Sequence, residues 1–262
     1  MQETKHIVVL GAGESGVGAA LLAQKEGYEV FVSDAGAISD TYKADLEQAG
    51  IAYEQNGHTE DRIFKASEIV KSPGIPDKAP IIKKLIEEKI PVISEIEFAG
   101  RYTQAKLICI TGSNGKSTTT MLIYHILKNA GLSVGLAGNI GKSFARQVAF
   151  EKFDYYVIEI SSFMLDNMYR FKADIAILLN ITPDHLDRYD YQMEKYAKSK
   201  FRIIQNQQQD DVFIYCADDQ EIRRGLEKYP VNAKTYPFSI EKVLEKGAYL
   251  KDENIIINLH HK

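Results

Sequence analysis

The chain has 262 residues, 45% hydrophobic and 26% charged, with a formal net charge of −4. That length accommodates two domains with separate cores, and the composition is that of a globular protein rather than a disordered or fibrous one. The slightly acidic balance gives no support to nucleic-acid binding, no apolar run approaches membrane-span length, and the N-terminus has no signal-peptide pattern.

HIVVL at 6–10 reads as a fully buried strand. Gly11-Ala12-Gly13-Glu14-Ser15-Gly16 follows as a GxGxxG, opening a helix with Val17, Leu21 and Leu22 on its apolar side. A second strand at 29–33 ends at Asp34, an acidic residue about twenty positions after the glycines, as in dinucleotide folds. This arrangement aims a helix N-terminus at a phosphate without saying which molecule owns it, so an NAD-binding dehydrogenase is one reading. A helix at 41–49, a short strand at 51–53, a helical stretch at 61–66 and the strand EIVK at 68–71 continue the alternation. The last closes on Ser72-Pro73-Gly74-Ile75-Pro76, a tight extended turn at a strand's carboxyl end. Such an edge either holds ligand or simply turns. An amphipathic helix at 78–89 and the strand PVIS at 91–94 complete a parallel-sheet domain spanning 1–93. A second domain, 94–262, then starts a fresh sheet.

LICI at 107–110 is the strand that leads into Gly112, Ser113, Asn114, Gly115, Lys116, Ser117 and Thr118, followed by a helix carrying Met121, Leu122, Ile123, Ile126 and Leu127. Strand, glycine loop, Lys-Ser and helix form the layout of a phosphate-binding P-loop. It is a variant, because the strict pattern has a first glycine where this chain has Ile110. Backbone N–H groups would cradle a nucleoside triphosphate such as ATP, Lys116 would reach its outer phosphates, and the Ser117 hydroxyl would sit on Mg²⁺.

Beyond it, SVGL at 133–136 leads to Ala137-Gly138-Asn139-Ile140-Gly141, where paired glycines permit close approach to a ligand or make a plain turn. DYYVIEI at 154–160 is β-prone and contains Glu159, a charge that is costly near a buried strand end unless paired or metal-bound. Ser161 and Ser162 cap a helix near 163. The strand DIAILLN at 174–180 ends in a polar cluster with His185 between Asp184 and Asp187, a candidate metal ligand oriented by an aspartate. A long basic helix covers 191–207, and on composition alone its lysines are a solvated face. VFIYC at 212–216 is a strand, a helix runs to about 228, and 248–250 with 255–257 form a hairpin. Cys109 and Cys216 lie in apolar strands and suit free thiols in a reducing cytoplasm. His260 and His261 are chain sequence rather than an affinity tag.

TGSNGKSTTT at 111–120, AGNIG at 137–141, EISSF at 159–163 and LNITPDHLDRY at 179–189 together resemble the ATP-dependent Mur ligases of peptidoglycan synthesis. SPGI at 72–75, SEIEF at 94–98 and YAKSKFRI at 196–203 point within that family to the branch that adds D-glutamate to UDP-N-acetylmuramoyl-L-alanine. The resemblance implies a cytoplasmic, monomeric ligase of cell wall biogenesis, with an acyl phosphate as intermediate. Its fold would be α/β: a Rossmann-like domain holding the UDP-sugar, then a P-loop central ATPase domain. The resemblance places substrate on Gly13, Glu14, Ser15, Gly16, Asp34, Ser72, Pro73, Gly74 and Asn139. It implies Lys116, Glu159, His185, Lys200 and Asn139 as catalytic, and Ser117, Glu159, His185 and Lys200 around Mg²⁺, with Lys200 carbamylated. Two departures stand out. Met164 replaces a usual glutamine, and Lys262 falls before the family's third domain, where most of the D-glutamate site belongs. The expectation is therefore a fragment that binds substrates without turnover. A folylpolyglutamate synthase-like or other Mur activity, or a non-catalytic nucleotide-binding regulator, remain the alternatives.

Overall fold

The computed structural model describes residues 5–259, so His260 and His261 lie outside the described residues. The chain packs as two compact units. The first takes the chain up to residue 104 together with 141–152 and 166–171; the second takes 105–140, 153–165 and the chain from 172 onward.

The first unit begins β1 (His6–Leu10), α1 (Glu14–Lys25), β2 (Glu29–Ser33), α2 (Asp40–Gln48), β3 (Ala52–Glu54) and α3 (Glu60–Ile63). It continues with β4 (Glu68–Lys71), α4 (Pro80–Glu87), β5 (Val92–Ser94) and α5 (Glu95–Ala99). Its five strands are all parallel in the order β3-β2-β1-β4-β5. The order reverses at β1, so the loops after β1 and β4 diverge and leave a crevice at the carboxyl edge. Val8, Leu10, Phe31, Ile69, Ile82 and Leu85 form the core on one face. α4 is shorter than the 78–89 expected: Pro80 takes its first turn, where no N–H is needed, and Lys89 ends it at φ 59°.

The second unit starts with β6 (Lys106–Thr111), α6 (Lys116–Asn129) and β7 (Val134–Gly138). The next helix, α7 (Phe144–Phe150), belongs to the first unit. Then come β8 (Tyr155–Glu159), α8 (Ser162–Asp166), β9 (Ile175–Leu178), α9 (Met193–Phe201), β10 (Val212–Cys216) and α10 (Gln220–Lys228). Strands β11 (Lys234–Ser239), β12 (Gly247–Lys251) and β13 (Asn254–Asn258) close the described chain. The sheet order is β13-β12-β11-β10-β9-β6-β8-β7, parallel except for the β12–β13 hairpin. β6 therefore lies between β8 and β9, at the point where the order turns back. Ile123 and Leu127 of α6 pack on Ile108, Ile110 and Val157, while Met121, Leu122 and Ile126 of the same helix are exposed. The long helix expected over 191–207 stops at Phe201 and tightens into a 3₁₀ turn over Arg202–Ile204.

The expected division into 1–93 and 94–262 cuts the sequence once, whereas the packing returns two later segments to the first unit. Two buried carboxylates explain this. Glu95 Oε1 accepts from Ser143 Oγ at 2.8 Å and Ala145 N at 2.6 Å, anchoring the start of α7. Glu97 Oε2 accepts from the backbone N–H groups of Tyr169, Arg170 and Phe171 at 2.9, 3.0 and 2.8 Å.

Candidate functional site

In the second unit the loop between β6 and α6 has the form of a phosphate cradle. Gly115 adopts φ 79°, a left-handed conformation that costs glycine little, and turns the chain into α6 at Lys116. Asn114, Gly115, Ser117 and Thr118 are exposed, while Gly112 and Ser113 are buried beneath them. Lys116 Nζ donates to the carbonyls of Gly112 and Ser113 at 2.9 and 2.8 Å, folding its ammonium over the loop that would receive phosphate.

The loop is laced to the segment after β9. Asn114 N donates to Asn180 Oδ1 at 2.8 Å, and Asn180 Nδ2 returns a bond to Asn114 O at 3.0 Å. Ser113 Oγ donates to Thr182 O at 2.8 Å and lies 3.0 Å from the Tyr196 hydroxyl. Lys200, 1% exposed, donates from Nζ to Gly112 O at 2.9 Å and sits 4.6 Å from the centre of the Tyr196 ring. Lys200 is thus buried under the loop, not part of a solvated face. Burial raises the Tyr196 pKa, keeping its hydroxyl neutral.

Glu159 is the last residue of β8 and pairs in register with Ile110 of β6, one strand from the loop. It is 1% exposed. Its Oε1 accepts from Asn139 Nδ2 at 2.7 Å, and its backbone carbonyl accepts from Asn139 N at 2.9 Å. Its Oε2 is buried with no hydrogen-bond partner. A bare carboxylate oxygen in such a place is costly unless a cation meets it. Together with the Ser117 hydroxyl at the start of α6, this is an all-oxygen donor set of the kind Mg²⁺ accepts when phosphates and water complete its shell. The residues present therefore fit Mg²⁺. Gly138 lets Asn139 come this close: its φ is 99°, and a Cβ there would lie 2.2 Å from Glu159 O.

His185 lies in the segment after β9, just before the 3₁₀ turn Leu186–Tyr189. It has φ 48°, its side chain is 60% exposed, Nε2 lies 3.6 Å from Asp184 Oδ1, and its ring sits 5.4 Å from that of Phe163. Among the described residues no hydrogen bond or ion pair joins it to Glu159 or Ser117, and no three His, Cys, Asp or Glu side chains converge as a metal cluster. Met164, which stands where the resembled family usually has glutamine, is buried in α8 at 5% exposure.

In the first unit, the glycine loop and the turn after β4 share the carboxyl edge of the sheet. Gly11 has φ 89°, and Ser72 Oγ donates to its carbonyl at 3.2 Å. A Cβ on Gly16 would sit 1.8 Å from Gly11 O, so only glycine lets α1 start this close to β1. Gly13 precedes α1 and is exposed, with Glu14 and Ser15 in the first turn. Asp34 takes Ala12 N on Oδ2 at 2.6 Å and Gly36 N on Oδ1 at 2.8 Å, so its carboxylate shapes the loop. Glu14 accepts from Ser143 N at 3.0 Å and from the Tyr42 hydroxyl at 3.3 Å, which directs it toward α7. Pro73 and Gly74 lie in the turn beyond Ser72, partly or fully exposed.

Sequence reasoning missed Asn180, Tyr196 and Asp219, whose Oδ2 holds Ile181 N and whose Oδ1 caps α10 at Ile222 N, both at 2.9 Å. The signal for Asp219 was available, since an aspartate just before an amphipathic helix is an N-cap pattern. Asn180 and Tyr196 carry no such mark; only folding brings them to the loop.

Comparison with known proteins adds the following. A family profile described as the Mur ligase middle domain matches residues 110–261, and one described as the N-terminal domain of MurD-like Mur ligases matches residues 5–94. A UDP-N-acetylmuramoylalanine–D-glutamate ligase of Bacteroides fragilis is 63% identical over 253 residues, covering 97% of this chain and 57% of that protein. Its counterpart from Porphyromonas gingivalis is 58% identical over 257 residues with the same coverage of each chain. The chain thus spans little more than half the length of the curated relatives it matches. Among solved structures, the UDP-N-acetylmuramate:L-alanyl-gamma-D-glutamyl-meso-diaminopimelate ligase of Neisseria meningitides aligns with TM-score 0.66 at 20% identity, covering 97% of this chain and 85% of its own. The UDP-N-acetylmuramate–alanine ligase of Thermotoga maritima aligns with TM-score 0.55 at 21% identity, covering 91% and 53%. At these identities the structural likeness speaks to fold.

Proposed function

Since the chain belongs to the Mur ligase family, we propose that it carries the UDP-substrate and ATP sites of a ligase that joins D-glutamate to UDP-N-acetylmuramoyl-L-alanine. Relatives at 55–63% identity bearing that name support the choice of substrate pair. In this reading the substrate carboxylate attacks the γ-phosphorus of ATP, ADP leaves, and an acyl phosphate forms. The free amine of D-glutamate then attacks the acyl carbon, and inorganic phosphate departs as the amide is made.

Bringing a carboxylate to a polyphosphate requires that negative charge be neutralised where it accumulates. Lys116 would swing from the Gly112 and Ser113 carbonyls to the outer phosphates, and the loop N–H groups would bind the phosphate oxygens. Ser117 and Glu159 Oε2 would hold Mg²⁺, which when bound supplies Lewis-acid polarisation of the phosphates. Asn139, which donates to Oε1, would hold the Glu159 carboxylate with Oε2 left available to the ion. Lys200 supports the loop from beneath in its unmodified form, and its carbamylation, with His185 at a second metal, belongs to the fuller family scheme. In the first unit, the Gly13–Gly16 helix start and the Ser72–Gly74 turn would take the UDP-sugar, with Asp34 holding the loop in shape.

No described helix is long and apolar enough to cross a membrane, and both cysteines are free. A soluble nucleotide precursor as substrate agrees with work in the cytoplasm.

The partnerless, buried Oε2 of Glu159 one strand from the loop is the observation that carries the nucleotide half of this proposal. Calorimetric titration with a non-hydrolysable ATP analogue, with and without Mg²⁺, tests it. The wild-type chain should bind in a Mg²⁺-dependent way, Lys116→Ala should lose at least about tenfold in affinity, and Glu159→Gln should lose the Mg²⁺ dependence. Binding indifferent to both substitutions would overturn it.

A further inference from the structure

The first unit holds a cavity remote from its glycine loop. It encloses about 780 Å³, within the roughly 300–1,000 Å³ usual for small-molecule sites. Ile7 of β1, Glu68 at the start of β4 and Val92 at the start of β5 all line it, which places it at the amino ends of these parallel strands. The Gly11 loop and the Ser72 turn follow the carboxyl ends of the same strands, so the two lie at opposite edges of one sheet. Nothing in the proposed ligase chemistry uses the amino edge.

The lining has a definite character. Ile7, Ile82, Val92 and Ile93 are buried aliphatic wall, and Ile86 of α4, 59% exposed, stands at the opening. The two carboxylates present are already engaged. Glu68 is gripped by Arg101 through two bonds of 2.7 and 3.0 Å, and Glu97 by the three backbone N–H groups described above. Lys89 and Arg170, both exposed, also line the cavity, and among the described residues neither forms an ion pair. The backbone N–H of Arg170 is held by Glu97, which fixes where its guanidinium starts. The charge offered to a ligand is therefore positive, around an aliphatic wall.

We propose that this cavity is a binding site for a small amphipathic anion, an aromatic or aliphatic body carrying one anionic group. The body would lie along Ile82, Ile86 and Val92, and the anion would meet Lys89 and Arg170 at the rim.

Two probes of matched shape test this: 1-anilinonaphthalene-8-sulfonate, and N-phenyl-1-naphthylamine, which lacks the sulfonate. Binding to the chain is followed by fluorescence. The anionic probe should bind saturably with one-to-one stoichiometry, and at least about tenfold more tightly than the neutral one. Ile86→Glu and Lys89→Glu, both at exposed positions, should each weaken it by about tenfold or more. Ile257→Glu, on the exposed apolar face of β13, and Lys116→Ala, in the P-loop, should leave it unchanged; the latter also separates this site from the ligase reading. The proposal is overturned by non-saturable binding, by equal affinity for the neutral probe, by binding that survives Ile86→Glu and Lys89→Glu, or by loss in Ile257→Glu.

Discussion

Glu95 and Glu159 are both buried carboxylates, at 3% and 1% exposure, and the chain treats them differently. Glu95 receives two donors on one oxygen and fastens the start of α7; Glu159 keeps one oxygen bare beside the P-loop. Burial pushes the Glu95 pKa up to about 7, against the lowering effect of the Ala145 N–H and Ser143 hydroxyl, and the nearby Glu14 carboxylate pushes it further up. The folded protein therefore holds a proton that the unfolded chain releases near 4.5. Its stabilising contribution is complete below pH 4.5 and is lost as pH rises through 7. Glu95→Gln keeps an oxygen for both bonds without the charge. Urea unfolding should find the two proteins similar near pH 5 and the variant more stable at pH 8, by on the order of 3 kcal/mol at most. A difference that does not change with pH would contradict this assignment.

At the scale of elements, most of the alternation was legible. Apolar runs followed by glycine loops marked β1 with α1 and β6 with α6, because a buried parallel strand and a helix start each leave a local signature. α5 and α7 left weaker ones. They are five and seven residues long, and what fixes them is Glu95 bonding to Ser143 and Ala145, about fifty residues away in sequence. Pattern within a window cannot show such a bond. The candidate site divides in the same way: Lys116, Ser117 and Glu159 stand out by their local context, whereas Asn180 and Tyr196 meet the loop only through pairing across the fold. The two ends of β7 also show what surroundings add to backbone strain. Gly131 and Gly138 both have positive φ, at 80° and 99°, but a Cβ on Gly131 meets open space and one on Gly138 meets Glu159 O at 2.2 Å. Gly131→Ala should cost about 1–2 kcal/mol, the left-handed penalty alone. Gly138→Ala should cost clearly more and should also weaken Mg²⁺-dependent nucleotide binding, since it displaces Asn139 from Glu159. Equal costs by chemical denaturation would show that this close approach is not needed.

The whole molecule comprises two α/β units, each built on a largely parallel sheet whose strand order reverses beside a glycine loop. Neither overall charge nor composition distinguishes their ligands; the chemistry around each helix start does. The second unit offers a lysine, a hydroxyl and a bare carboxylate oxygen. The first offers backbone groups and a braced Asp34, which in the proposed reading would hold the diphosphate of a nucleotide sugar without reaction. The direct measurement is parallel calorimetry of UDP-N-acetylmuramoyl-L-alanine and of a Mg²⁺-bound ATP analogue against the wild-type chain, Lys116→Ala and Ser72→Trp. Lys116→Ala should weaken binding of the ATP analogue by at least about tenfold and spare the UDP-sugar, and Ser72→Trp should do the reverse. Loss of both ligands in either variant, or binding of the UDP-sugar unaffected by Ser72→Trp, would contradict the two-site account.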